Sequence, residues 1–399
     1  MAATETGVWN LQDVRDKQLA GEWSYTGANH LLVTGTNDEG MLGLNQSPPG
    51  NKRSSPTQIP GTNWNKALNN STPGGFGMAG KSDGTLWTWG RNEYGEQGSG
   101  DRTYRSSPTQ VGTDTTWAVG LARDSNQGGF CMKTDGTYWI WGRNVYGSLG
   151  LNQPHPTKIS SPAQLPGTDW PYNDATKIAC GNNGQQLAIK TNGELWGWGL
   201  NSNGALASNN RTQRSSPVQI GSENTWSAVT AGQSVCAIKT DGTLWAWSSN
   251  DRGQLGLNQG GDGDSGDGPR LSSPAQVGTD TTWSRIATGP KQQAAIKTDG
   301  TLWTWGRNNY GELGQNNNST AVSSPTQVGT DTDWHSVSMS YGVMAARKTN
   351  GELWVTGRNA NGQLAQNNVI YRSSPVQVPG TWAEGFKASN LNLQLLQEQ

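Results

Sequence analysis

One recurring phrase constrains this chain more than any other feature. It runs from Lys297 to Gly314 and contains Asp299-Gly300-Thr301-Leu302-Trp303-Thr304-Trp305-Gly306-Arg307-Asn308. It returns as Lys81 to Gly98, Lys133 to Gly150, Lys190 to Ala207, Lys239 to Gly256 and Lys348 to Ala365. Self-similarity at a period of about 50 residues marks a repeat architecture, in which one small unit is built many times over.

Each unit divides into four short strands. In the unit ending at Gly306, Ser272-Ser273-Pro274-Ala275-Gln276-Val277 opens and Gly278-Thr279-Asp280 turns. Trp283 to Ala287 and Gln293 to Lys297 follow as the second and third strands. Asp299-Gly300 reads as a two-residue type I′ hairpin turn, because both residues tolerate positive φ. Leu302-Trp303-Thr304-Trp305 alternates with period two and forms the fourth strand. A four-stranded sheet of this size cannot bury its own faces, so neighbouring sheets must stack radially, as in a β-propeller. The Ser-Ser-Pro anchor places its proline at Pro56, Pro108, Pro162, Pro217, Pro274, Pro325 and Pro375, which predicts seven blades.

The ends predict how the ring closes. Leu31-Leu32-Val33-Thr34-Gly35 aligns with Leu353-Trp354-Val355-Thr356-Gly357, a fourth strand with no first three ahead of it. Near the C-terminus, Ser373-Ser374-Pro375, Trp382 and the alternating stretch 390–395 supply three strands without a fourth. The expectation is an all-β, seven-bladed propeller of four-stranded blades over residues 24–399. Its closing blade is split into three C-terminal strands and one N-terminal strand, which removes free sheet edges. Residues 1–23 stand outside the repeat as an N-terminal arm.

Composition fits one ring and narrows its partners. A formal charge of −1 over 399 residues gives no global attraction to nucleic acid or to an anionic membrane. Of the twenty tryptophans, Trp64, Trp117, Trp170, Trp226, Trp283, Trp334 and Trp382 follow the Gly-rich turns. The others, except Trp9 and Trp23, lie in the Leu-Trp or Tyr-Trp strand. They read as aromatic filling between blades, with carbohydrate stacking as the alternative for any that are exposed. Cys131, Cys180 and Cys236 show no metal or disulfide spacing and read as buried free thiols. No apolar run approaches the ~18 residues of a membrane span, and the N-terminal stretch lacks the apolar core of a secretory signal.

Candidate sites are few. Arg53, Arg105, Arg214 and Arg372 directly precede the two serines of the anchor, while Lys158 and Arg270 stand one residue earlier. A ring of cations can face an acidic partner or a glycan; equally, the repeat can encode pairing with acids such as Glu96 and Glu312 or with turn carbonyls. Asp262, Asp264 and Asp267 lie on a glycine-rich loop and offer oxygen ligands for calcium, or form a flexible acidic insertion. In the arm, Val8, Trp9, Leu11 and Trp23 mark either a segment packed on the ring or one that docks into a larger assembly. The three histidines, His30, His155 and His335, share no spacing with acids or cysteines, and no hydrolase, zinc-protease or phosphate-loop motif occurs. Carboxylates paired across the central channel remain open as an enzymatic alternative.

The phrase Lys-Thr-Asp-Gly-Thr-Leu-Trp-Thr-Trp-Gly-Arg-Asn, followed by Ser-Ser-Pro-x-Gln-Val, resembles the repeats of the regulator of chromosome condensation family. The resemblance covers about residues 28–382 and implies a seven-bladed propeller with a split closing blade. Members of that family include a nucleotide-exchange factor for a small GTPase and a bacterial protein inhibitor of β-lactamase. This chain shows neither a basic N-terminal tail nor a long hairpin insertion, so no exchange residues are carried over. The arm Gly7-Val8-Trp9-Asn10-Leu11-Gln12, continued by Gly21-Glu22-Trp23, looks like the N-terminal segment of virion structural proteins of marine tailed bacteriophages. Together the two resemblances imply a non-enzymatic virion protein, a tail fibre, adhesin or decoration module on the tail or capsid exterior, present in the host cytoplasm during assembly. Its arm would hold other virion proteins, its loops would meet a host receptor or glycan, and it would be oligomeric in the particle. It would need no cofactor beyond the calcium considered above. The alternative is a soluble bacterial protein-binding propeller, an inhibitor or regulatory scaffold.

Overall fold

A computed structural model describes residues 30–46, 52–70, 75–118, 128–154, 156–167, 169–171, 174–181, 184–260, 269–318, 321–384, 386–388 and 392–397. They form seven four-stranded antiparallel sheets, with two short 3-10 turns among the described residues. The fifth blade shows the plan. Trp283–Thr288 pairs with Gln292–Lys297, that strand with Leu302–Gly306, and that with Val322–Gln327. The Trp-led strands of neighbouring blades approach one another, so they line the centre of the ring. The Ser-Ser-Pro strands lie at the rim, half-exposed along their length.

The number of blades matches the seven anchors, and the phase of the unit is corrected. The Ser-Ser-Pro strand does not open a blade. It completes the preceding one by pairing with the Leu-Trp strand, as Gln327 does with Trp303. The closing blade therefore divides two and two, not three and one. Arg53–Gln58 and His30–Gly35 come from the N-terminal side, and Asn392–Gln397 and Lys387–Ala388 from the C-terminal side. Ser373-Ser374-Pro375 belongs to the sixth blade, within Arg372–Val378. The clasp itself is an antiparallel ladder running from His30 opposite Gln397 to Gly35 opposite Asn392.

The hairpin turn also differs from the type I′ expectation. The Gly300 N–H donates to Lys297 O and the Lys297 N–H to Thr301 O, which leaves a three-residue loop. Only Gly300 has positive φ, +78°, as the left-handed residue after a type I turn requires.

Blades are joined by a bond repeated around the ring. The indole Nε1 atoms of Trp89, Trp141, Trp198, Trp247 and Trp305 each donate to a carbonyl in the exit turn of the preceding blade, at 2.7–3.1 Å. Where threonine stands instead, the Thr356 and Thr34 hydroxyls reach Gly311 O and Gln363 O. The indoles fill the gap between blades and are fully buried, as expected of scaffold aromatics. At the rim, the exit turn of each blade lies on the next outer strand. Asn316 N donates to Ser373 O at 2.8 Å, and Asn367 N to Ser54 O at 2.9 Å, where the last turn meets the closing blade. Gly311 makes this approach possible: a Cβ there would stand 2.6 Å from Ser373 Cα. Cys131, Cys180 and Cys236 are buried and form no disulfide, as the sequence led us to expect.

Candidate binding face

The two ends of the barrel-like ring differ. One end carries the Asp-Gly hairpins. The other carries the exit turns, with the start of every outer strand, and is called here the loop face. Arg53, Arg105, Arg214, Arg270 and Arg372 all begin outer strands on that face, each in a different blade. Arg105 donates to Asp101 at 2.6 Å and to Thr103 O at 3.0 Å, and holds the Asp101 carboxyl down at about 2. Arg53 donates to the Gln46 side chain at 2.9 Å. Arg214 and Arg270 are exposed, and Arg372 is half-buried. Glu96 and Glu312 pair with other arginines: Glu96 lies 3.8 Å from Arg91, and Glu312 lies 3.1 Å from Arg307. Asp262, Asp264 and Asp267 lie outside the described residues, as do Val8, Trp9, Leu11 and Trp23.

The sequence reading missed the residue that builds the loop face. In the third position of every exit turn stands an asparagine whose Oδ1 accepts a backbone N–H five residues on. Asn92 holds Gln97 at 3.0 Å, Asn308 holds Leu313 at 3.1 Å and Asn359 holds Leu364 at 2.9 Å. The Nδ2 of the same side chain fixes the loop that follows. Asn92 reaches Asp101 O and Thr103 O, Asn201 reaches Asn210 O and Thr212 O, and Asn359 reaches Asn368 O and Ile370 O, all at 2.9–3.2 Å. Three loops thus share one backbone frame. The signal was an asparagine at one fixed place in all seven units, which the sequence analysis did not use.

On that shared frame the sixth blade displays different side chains. Arg102-Thr103-Tyr104 and Arg211-Thr212-Gln213 stand in two blades; Val369-Ile370-Tyr371 stands in the sixth. Val369 is 58%, Ile370 57% and Tyr371 44% exposed. Tyr310, from the exit turn of the fifth blade, lies 5.8 Å from Tyr371 and 6.2 Å from Tyr341, itself 36% exposed. The Arg307 guanidinium stacks on Tyr341 at 3.9 Å, and Arg358 lies 5.6 Å from the Tyr310 ring. Burial, with Tyr341 alongside, pushes the Tyr310 phenol above its usual range. An apolar and aromatic patch edged by arginines therefore crosses the seam between the fifth and sixth blades. A related stack surrounds Tyr94, with Arg91, Arg143 and Lys158 at 4.7–5.4 Å from its ring, but without the apolar pair.

At the other end of the ring, Arg285, His335 and Glu384 meet from three successive blades, with a Glu384 carboxylate oxygen against His335 Nε2 and 3.9 Å from Arg285. Among the described residues, no three His, Cys, Asp or Glu side chains are placed to hold a metal ion.

Comparison with known proteins agrees with this architecture. The model of the regulator of chromosome condensation (RCC1) repeat matches residues 83–119, 135–184, 192–238 and 299–345. The ultraviolet-B receptor UVR8 of Arabidopsis thaliana is 24% identical over 373 residues, covering 90% of this chain and 80% of that protein. Protein RCC2 of Mus musculus is 31% identical over 128 residues, covering 32% of this chain and 24% of that one. Among solved structures, Prp20p from Saccharomyces cerevisiae superposes with a TM-score of 0.77 at 17% identity, covering 94% of this chain and 93% of that one. The chain is a seven-bladed β-propeller in which four stretches match the regulator of chromosome condensation repeat.

Proposed function

We propose that this chain is a non-enzymatic binding propeller whose loop face holds another protein at the seam between the fifth and sixth blades. One observation carries the reading: the frame set by Asn359 repeats those of Asn92 and Asn201, yet presents Val369, Ile370 and Tyr371 to solvent. Exposed apolar residues clustered beside tyrosine and arginine have the composition of interaction hot spots. A frame fixed by hydrogen bonds keeps the ordering cost of binding low. Relatives support a regulatory or protein-binding role, since Prp20p has binding properties toward Gsp1p and histones.

The finer reading places the propeller on a bacteriophage particle, as a tail-fibre, adhesin or decoration module attached through residues 1–23. Its support is the arm's resemblance to virion proteins. Peptide mass spectrometry of purified particles tests it, together with deletion of residues 1–23. The expected result is that the full chain is found in particles and the truncated, folded ring is not. Particles that lack the full chain, or that keep the truncated one, would leave the soluble protein-binding propeller as the reading. The binding face is tested by a photo-crosslinking residue placed at Tyr371 and, as control, at Asp280 on the hairpin face. A partner captured from Asp280 and not from Tyr371 overturns the assignment of the face.

A further inference from the structure

We infer that the patch at the fifth and sixth blades accepts an acidic segment carrying large apolar side chains. The inference rests on the proposed binding face and adds the chemistry of its occupant.

The loops around the patch span 307–318, 340–343 and 357–372. They hold Arg307, Arg358 and Arg372 against a single acid, Glu312. Glu312 is fully buried and already paired with Arg307. Arg307 is itself buried and neutralised by that pair, so the positive charge at the rim comes from the half-exposed Arg358 and Arg372, while the middle, Val369, Ile370, Tyr371 and Tyr341, is apolar and aromatic. The opposite face has the reverse character. There Lys133, Lys239, Lys297 and Lys348 lie mostly buried between tryptophan rings, while the acids they pair with, Asp114, Glu223, Asp280 and Asp331, are exposed. An acidic segment is repelled by carboxylates on one side of the disc and drawn to arginines on the other. Charge selects the face and speeds encounter, and the apolar middle supplies residence time. Beyond ~8 Å this attraction is screened at physiological salt, so it acts on close approach and weakens as salt rises.

The test is selection of a random dodecapeptide library on the immobilised full chain, with depletion on an Ile370→Ser/Tyr371→Ser double variant. Both substitutions replace exposed side chains, and a thermal melt checks that the variant remains folded. The enriched peptides are expected to combine Asp or Glu with Leu, Phe or Tyr. In fluorescence anisotropy their affinity should fall at least tenfold on the double variant, and at least tenfold between 50 and 500 mM NaCl. Enriched peptides that are basic or uncharged but still need Ile370 and Tyr371 would overturn the acidic chemistry and leave the binding face standing. Peptides that bind the double variant equally, or no enrichment at all, would overturn both. Sedimentation velocity supplies the remaining arm. Self-association that vanishes in the double variant would make a second copy of the chain the occupant, and would overturn the inference.

Discussion

The indole Nε1 of Trp305 donates to the backbone carbonyl of Gln254 across 3.1 Å, from the fifth blade into the exit turn of the fourth. Trp305 is fully buried, so the bond and the ring's apolar surface act together at that seam. Trp305→Phe keeps an aromatic ring and leaves the Gln254 carbonyl without this donor. The expected loss is about 1–3 kcal/mol, the cost of a buried polar group whose partner is removed. Trp305→Ala also opens a cavity, with an expected loss of about 3–5 kcal/mol. Equilibrium denaturation of both variants measures the ranking. Equal losses would mean that the hydrogen bond adds nothing to the packing.

The two-and-two clasp makes a different prediction for the C-terminus. Removing residues 392–399 deletes the strand that pairs with His30–Gly35 and takes the buried side chains of Leu393, Leu395 and Leu396 with it. Each buried leucine contributes about 1.5–3 kcal/mol. The ring should open, with a lowered thermal midpoint and a broader calorimetric transition. A truncated chain that melts as the full chain does would show that closure does not depend on this strand.

These seams explain what the sequence could and could not reveal. A repeat gives its period wherever the unit is cut, so blade number and ring closure were legible from the Ser-Ser-Pro anchors. Where a blade begins is a matter of pairing, and nothing in the periodicity says whether Ser323-Ser324-Pro325 joins the strand before it or the one after. The one-strand shift in the closing blade has this cause. Asp299-Gly300 suits both a type I′ turn and a type I turn followed by a left-handed glycine, so the dipeptide could not choose between them. At the candidate site, attention to charge selected the outer-strand arginines. The informative departure was apolar, Val369-Ile370 where the first and third blades have arginine and threonine. Its meaning depended on Asn359 holding the same frame as Asn92 and Asn201, which only the hydrogen bonds reveal.

The cysteines give a prediction about access. Cys131 is fully buried in the second strand of its blade, and burial pushes its thiol up to about 12; Cys236 is shifted in the same direction. The thiolate is the reactive form, so both thiols should be inert in the native ring. A disulfide-exchange reagent at pH 8 is expected to label neither until denaturant is added, and then to label all three cysteines. Rapid labelling of Cys131 without denaturant would mean that its blade opens locally.

Glu96 carries the pH prediction. Its side chain is buried, its Oε2 accepts the Tyr94 N–H at 2.7 Å, and its Oε1 has no hydrogen-bond partner. Burial outweighs those favourable contacts and the nearby Arg91, and raises the carboxyl above its usual range. A raised acid binds a proton more readily in the folded than in the unfolded chain. Its contribution to stability is therefore complete below about pH 4.3 and is lost as pH rises through the folded value. The hairpin aspartates Asp83, Asp135, Asp241 and Asp299 behave oppositely. Threonine side-chain and backbone donors hold them low, so their contribution is present above about pH 3.9 and is lost as pH falls. The chain itself suggests the variant that separates the two effects, because Gln254 and Gln363 occupy the Glu96 position in other blades and accept the matching N–H at 2.7 and 2.8 Å. Glu96→Gln keeps that acceptor, removes the titration and leaves Arg91 its partner Glu93. Its stability relative to the parent should rise between pH 4 and pH 7, by about 1.4 kcal/mol for each unit by which folding raises the carboxyl. The low-pH loss due to the aspartates should be unchanged. Denaturant midpoints at pH 4, 5.5 and 7 measure both, and a difference that is flat with pH would show that Glu96 titrates alike in the folded and unfolded chain.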